Sequence, residues 1–158
     1  EDVPCICPDN FSESLQEYIN EINCLPNDFL FVTTTLQAGY LFETVQIEES
    51  TGVIVTIESS NCNDVNDCDW VGAFNGDVCV GAIQWTTDTC LNSICSINVM
   101  GNDYGEYTPS GYMNSGETPT FKIYDVSEDI YYMATTTFDE YPWNHTQIYV
   151  IPLLLGQP

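Results

Sequence analysis

From residue 29 onward, apolar and polar positions alternate in short runs rich in β-branched and aromatic residues, the period-two signature of half-buried strands. Runs at 29–35, 40–48, 53–57, 70–74, 78–85, 94–100, 120–126, 130–138 and 147–153 are predicted strands. Turn chemistry joins them. Glu49-Ser50-Thr51-Gly52 connects the second run to the third, and Asn75-Gly76-Asp77 connects the fourth to the fifth. Asn-Gly is a strong short-range hairpin signal. Residues 59–69 are polar throughout and read as a loop. About nine short strands with almost no helix between them predict an all-β fold, an antiparallel Ig-like β-sandwich rather than a parallel α/β sheet. No internal repeat is visible.

The first 28 residues follow a different period. After a Cys-Ile-Cys-Pro opening, Phe11, Leu15, Tyr18, Ile19 and Ile22 recur at helical spacing. One short amphipathic helix over about residues 11–22 is predicted. Ser12 and Glu13 supply an acceptor and negative charge at its start, and Pro26 stops it. The expected organisation is a Cys-rich extension with a short helix (1–28) followed by a β-sandwich domain (29–158).

Composition fixes the scale of the fold. The chain has 158 residues, of which 44% are apolar, enough for one domain with a substantial core. Aromatics at 13% beside charged residues at only 16% argue against disorder, because Tyr, Phe and Trp supply the burial that disordered acidic chains lack. Charge is the sharpest constraint on function. Twenty-four carboxylates face one basic residue, Lys122, for a formal charge of −23. Nucleic acids and anionic membranes are recognised through Lys and Arg, so both are excluded as partners. Crowded carboxylates invite cations, and calcium is the expected cofactor. No apolar run reaches the ~20 residues of a membrane helix; the longest spans 148–155. The sequence opens at Glu1 without a basic or apolar leader, which fits export whether a signal peptide has been removed or lies outside the given sequence.

Eight cysteines, at 5, 7, 24, 62, 68, 79, 90 and 95, point the same way. Cys5, Cys7, Cys24, Cys62, Cys68, Cys79, Cys90 and Cys95 read as an oxidised framework of an extracellular protein. Zinc is disfavoured because the paired C-x2-C knuckles of thiolate sites are absent. Cys62–Cys68 and Cys90–Cys95 are the first bridges expected, since each pair flanks a short polar turn. Cys5 and Cys7 do not bond easily to one another, so they must reach distant or neighbouring partners.

The run Asp69-Trp70-Val71-Gly72-Ala73-Phe74-Asn75-Gly76-Asp77, continuing through Val80-Gly81, resembles Ig-like modules of secreted multidomain surface proteins of Gram-negative bacteria. Val99-Met100-Gly101-Asn102-Asp103, Gly111-Tyr112-Met113 and Gly116-Glu117-Thr118-Pro119-Thr120-Phe121-Lys122-Ile123-Tyr124-Asp125 follow in the order that family uses. The likeness covers about residues 29–151. It implies a β-sandwich on a secreted surface protein and no catalytic residue. Family members usually sit inside longer chains that end in a secretion-sorting domain. Here a Cys-rich helical segment stands in front instead, which suggests a module that joins copies of itself.

The best metal candidate is the loop Asn61-Cys62-Asn63-Asp64-Val65-Asn66-Asp67-Cys68-Asp69, whose carboxylate and amide oxygens suit calcium. Asp64, Asn66, Asp67 and Asp69 are the expected ligands there; Asp77, Asp103 and Asp125 rank second. The same residues are also ordinary turn formers. Two sequons, Asn10-Phe11-Ser12 and Asn144-His145-Thr146, are candidate glycosylation sites, with Asn144 ahead because Tyr141-Pro142-Trp143 reads as an exposed turn. An enzyme is not expected: His145 is the only His, and nothing singles out a nucleophile or a carboxylate pair. Trp70 and Trp85 sit on predicted strands and are expected in the core, whereas Trp143 is expected near the surface, where with tyrosines it would offer a platform for glycans. Residues 147–155 are either a last core strand or an arm for the edge of a neighbouring copy.

These readings converge on an extracellular structural protein. The expected assembly is a homopolymer, a pilus-like surface filament or layer stabilised by disulfides and calcium. A carbohydrate-binding or adhesion module is the alternative.

Overall fold

A computed structural model describes residues 25–58, 62, 66–88, 90, 94–137 and 140–158. The predicted helix at 11–22 lies outside the described residues. Within them the chain is all-β: a 3-10 turn at Asn27–Phe29 precedes eight strands, β1 (Gln37–Glu48), β2 (Ile54–Thr56), β3 (Trp70–Asn75), β4 (Val78–Gln84), β5 (Cys95–Met100), β6 (Thr120–Asp125), β7 (Ile130–Thr136) and β8 (Ile148–Gln157). No helix among the described residues is long and apolar enough to cross a membrane.

Eight of the predicted strands form. The ninth, at 29–35, does not, although its residues are aromatic and β-branched; its buried positions are 29, 32 and 34. Its backbone groups are taken by side chains instead of a ladder: the Val32 N–H donates to the Tyr112 hydroxyl at 2.8 Å, and the Thr35 N–H to Asp103 Oδ2 at 2.9 Å. The Thr34 hydroxyl donates to the Gly101 carbonyl at 2.7 Å. Side chains thus take the Val32 and Thr35 N–H groups that a ladder would otherwise use.

The strands make one open, mixed sheet in the order β2-β1-β8-β7-β6-β3-β4, with β5 also on β1. β1 is long enough to serve two partners along one edge, β5 beside residues 37–42 and β2 beside residues 46–48. Its other edge takes β8 in parallel, where the sequence had suggested antiparallel pairing throughout. The parallel pairing skips Glu43 opposite Pro152, which has no N–H to give. There the buried positions also shift, from 38, 40 and 42 to 45 and 47 in β1, and from 151 to 154 and 156 in β8. Such a change of face lets a strand pair pass from one packed surface to another. The ladder ends at β4, yet β4 comes back to β5 so closely that a Cβ on Gly81 would collide with the Asn98 carbonyl.

Tyr40, Phe42, Trp85, Phe121, Ile123, Ile151 and Leu154 fill the main core. A second cluster, Phe29, Trp70, Phe74 and Cys79, packs beneath the 3-10 turn. Gly72 is required there, because a Cβ would stand 2.6 Å from the Phe29 ring. Trp143 corrects the surface expectation. It is 2% exposed, donates from Nε1 to the Val99 carbonyl at 2.9 Å, and occupies the space that a Gly101 side chain would take. Its neighbours Pro142 and Asn144 suggested an exposed turn at 141–143, but the turn comes after it, at His145 and Thr146, and the indole points inward.

Candidate functional site

The two local bridges form as the sequence suggested, Cys62–Cys68 and Cys90–Cys95. Cys79, expected in a bridge, is not bonded: its buried thiol donates to the Gly81 carbonyl at 3.4 Å. Burial, the largest influence, pushes this thiol up to about 12, against the opposing effects of that hydrogen bond and of Lys122. Cys5, Cys7 and Cys24 lie outside the described residues, as do Asp64 and Asn10.

The predicted calcium ligands stand in several separate places. Asn66 and Asp67 are exposed next to the Cys62–Cys68 bridge, and Asp77 is exposed in the β3–β4 turn. Asp103 organises its own loop. It accepts from the Thr35 N–H at 2.9 Å, the Thr35 hydroxyl at 3.0 Å, the Gly105 N–H at 2.9 Å and the Thr108 hydroxyl. Burial works to raise this carboxyl, but the hydrogen bonds together outweigh it and hold the group at about 2.

Asp69 and Asp125 do come together. They line one cleft of about 180 Å³ with Glu49, Glu58, Val55 and Thr56, at the end of the sheet where β1, β2, β3 and β6 meet. Asp69 Oδ1 accepts the Val126 N–H at 3.0 Å, and Asp125 Oδ1 accepts the Ser127 hydroxyl at 2.7 Å and the Glu128 N–H at 3.2 Å. Burial raises the Asp69 carboxyl, the Val126 N–H offsets part of that, and the Asp125 charge raises it further. Nearby Tyr132 is raised as well, by burial and then by Glu128, Asp125 and Glu49. This end of the molecule therefore concentrates negative charge. Among the described residues no three His, Cys, Asp or Glu side chains are grouped as a metal-binding set.

Glu117 escaped sequence reasoning. Its carboxylate takes the Asn75 amide at 2.8 Å, the Asn114 N–H at 3.0 Å and the Asn114 amide at 3.3 Å, which lower its pKa. The Asn75 amide also donates to the Gly111 carbonyl at 2.9 Å. The segments around Asn75 and around Glu117 are thereby tied together, and β3 pairs β6 along the same line. Asn75 and Glu117 of that pattern act as structural ties.

The surface carries apolar strand residues. β2 ends the ladder, and Val53, Ile54 and Val55 are all exposed, Ile54 by 55%. On β8, Ile148 is 65% exposed and Val150 54%, next to a shallow groove of about 270 Å³ over Gly39 and Leu41. The third tryptophan being buried leaves Tyr104 and Tyr107 as exposed aromatics in the 102–108 loop. Asn144 is exposed, and the sole His accepts the Gln37 N–H through Nδ1 at 3.1 Å.

Comparison with protein-family models, with characterised proteins and with solved structures gave no match. The likeness to bacterial Ig-like modules therefore stands on the quoted residues alone.

Proposed function

We propose that this chain is an extracellular structural subunit that assembles with copies of itself into a surface filament or layer. The carrying observation is β2, a three-residue edge strand whose Ile54 and Val55, with Val53 just before them, are exposed beside an unpaired ladder end among the described residues. An exposed apolar edge is a template for strand addition, and proteins that stay single usually blunt such edges with charge or Pro. A strand from one copy on the edge of the next is a head-to-tail contact that propagates without closing. The fold belongs with this reading as an Ig-like sandwich: β1 and β8 change faces at Glu43 and Pro152, and β4 returns to β5.

Secretion fits the two local disulfides, which persist in oxidising compartments. Calcium is the cation we assign to the acidic end. Around Asp69, raised first by burial and then by the Asp125 charge, it would relieve the repulsion between the two carboxylates, and between subunits it would screen −23 against −23. The second reading, a glycan-binding module, draws on exposed Tyr104 and Tyr107 rather than on Trp143.

Electron microscopy of the native protein with calcium and after chelation tests the proposal, with Ile54→Lys alongside. Regular filaments that loosen on chelation, and a folded Ile54→Lys chain that gives only single particles, are expected. Monodisperse particles from the native chain under both conditions refute assembly. Filaments of unchanged form from Ile54→Lys remove β2 from the contact.

A further inference from the structure

Four glycines stand inside strands among the described residues, and three of them answer to the fold. A Cβ on Gly72 would stand 2.6 Å from the Phe29 ring, one on Gly81 would collide with the Asn98 carbonyl, and one on Gly156 would press on Ile123 and Tyr132 at 3.0 Å. Gly39 is different. A Cβ there would meet Leu41 and Ile148 at 3.8 and 3.7 Å, which is ordinary contact, and its φ is not left-handed. Its pairing runs unbroken to Asn98 of β5 on one side and Ile148 of β8 on the other, so it marks no bulge. Glycine weakens a strand, and where neither a bulge nor a crowded neighbour requires it, it marks a place where something from outside comes close to the backbone.

The missing side chain opens the floor of the groove of about 270 Å³ on the outer face of β5, β1 and β8. Exposed Ile148 and Val150 stand beside it, so an apolar knob and a hole of matching character lie next to each other on one face. No residue lining the groove is charged, in a sequence with twenty-four carboxylates; Glu43 stands at the far end of the face. Strongly acidic copies can meet here without setting carboxylate against carboxylate. We propose that this face is a two-fold contact between two copies of the chain, with Ile148 of each seated over Gly39 of the other. Such a contact is self-complementary and closes as a pair, unlike the β2 edge, which propagates. That the occupant is a copy rests on the assembly reading above; that the groove has an occupant rests on Gly39. Both contacts together make filaments joined in pairs.

Sedimentation equilibrium of the 158-residue chain carrying Ile54→Lys, which disables the β2 contact, reads this face alone. The expected result is a discrete particle of twice the chain mass. Gly39→Ala in that background should raise the dissociation constant about tenfold or more, because the new methyl fills the groove floor in both halves of the pair. Its thermal midpoint, read by circular dichroism at concentrations where both chains are monomers, should equal or exceed that of Ile54→Lys alone, since the fold has room for the Cβ. Ile148→Ser should weaken pairing in the same way and leave the chain folded. Unchanged pairing in both variants overturns the proposal, as does a monomer at every concentration. A lowered midpoint in Gly39→Ala overturns it too, by giving the glycine a purpose inside the fold. A monomer that a neutral polysaccharide retains, and that Gly39→Ala releases, overturns the copy as occupant in favour of a glycan. Electron microscopy of the parent chain separates the two readings. Pairs that never form filaments support this contact and refute the filament, whereas filaments from a parent whose Ile54→Lys form stays monomeric leave assembly standing and overturn this contact.

Discussion

Truncating Trp143 to Ala should be among the most damaging single changes in this protein. The indole is 2% exposed, packs in the main core over Gly101, and donates from Nε1 to the Val99 carbonyl. Removing a buried Trp side chain costs about 3–5 kcal/mol through lost burial and the cavity left behind. Leaving a buried polar group such as the Val99 carbonyl unpaired adds about 1–3 kcal/mol unless water enters the space. For a chain of this length each kcal/mol moves the midpoint by roughly 2–4 °C, so a drop on the order of 10 °C is expected. Thermal and urea unfolding followed by circular dichroism measure it. Gly101→Ala offers an internal control, because its Cβ would collide with the Trp143 ring. Alone it should destabilise; combined with Trp143→Ala the clash disappears, and the pair should fall short of additivity by about 0.5–3 kcal/mol. A Trp143→Ala chain within about 0.5 kcal/mol of the parent, the range of ordinary surface changes, would refute the burial argument and return Trp143 to the surface platform.

Three further outcomes follow from the polar contacts. Asp103 is held at about 2, below the ~3.9 of an unfolded Asp, so its stabilising share is complete above about pH 4 and lost as pH falls through about 2. Asp103→Asn should therefore be less stable than the parent at neutral pH, with the gap closing in acid; a gap independent of pH would contradict this. Asp69 has the opposite sign. Its raised carboxyl means the folded state holds the proton more tightly than the unfolded state, so the charge weakens the fold as pH rises through that raised value. Asp69→Asn keeps an acceptor for the Val126 N–H and should match or exceed parent stability at pH 7 in chemical unfolding, losing that advantage in acid; a clear loss at pH 7 would count against it. Tyr112→Phe strips the buried Val32 N–H of its acceptor, which should cost about 1–3 kcal/mol and speed hydrogen exchange at Val32.

The sheet was legible where its instructions are local. Gly52 and Gly76 adopt positive φ in the two turns that the sequence marked, and the strands around them begin and end within a few residues of their predicted positions. Trp70 and Trp85 are buried as their strand positions implied. Residues 29–35 misled because aromatic and β-branched residues report a fit to a half-buried surface and not whether a ladder partner is present. Trp143 misled because Pro142 and Asn144 describe the bend of the chain, whereas the direction of the indole depends on the gap over Gly101, more than forty positions earlier. The candidate ligands were legible only as a composition. Acidic residues favour turns wherever turns occur, so a list of Asp positions does not say which of them share a cleft.

By itself the sequence determined the all-β character, the local hairpins, two short disulfide loops and a net charge of −23, because each of these depends on residues within about ten positions of one another or on a simple count. Only the tertiary structure decided that β8 lies parallel to β1, that Asp69 meets Asp125, that Glu117 clamps Asn75, and that the Cys79 thiol is buried outside a bridge. Each of those joins residues far apart in the chain. Their proximity comes from burying the core faces of seven of the eight strands at once, and periodicity within one strand carries no information about which distant strand covers it.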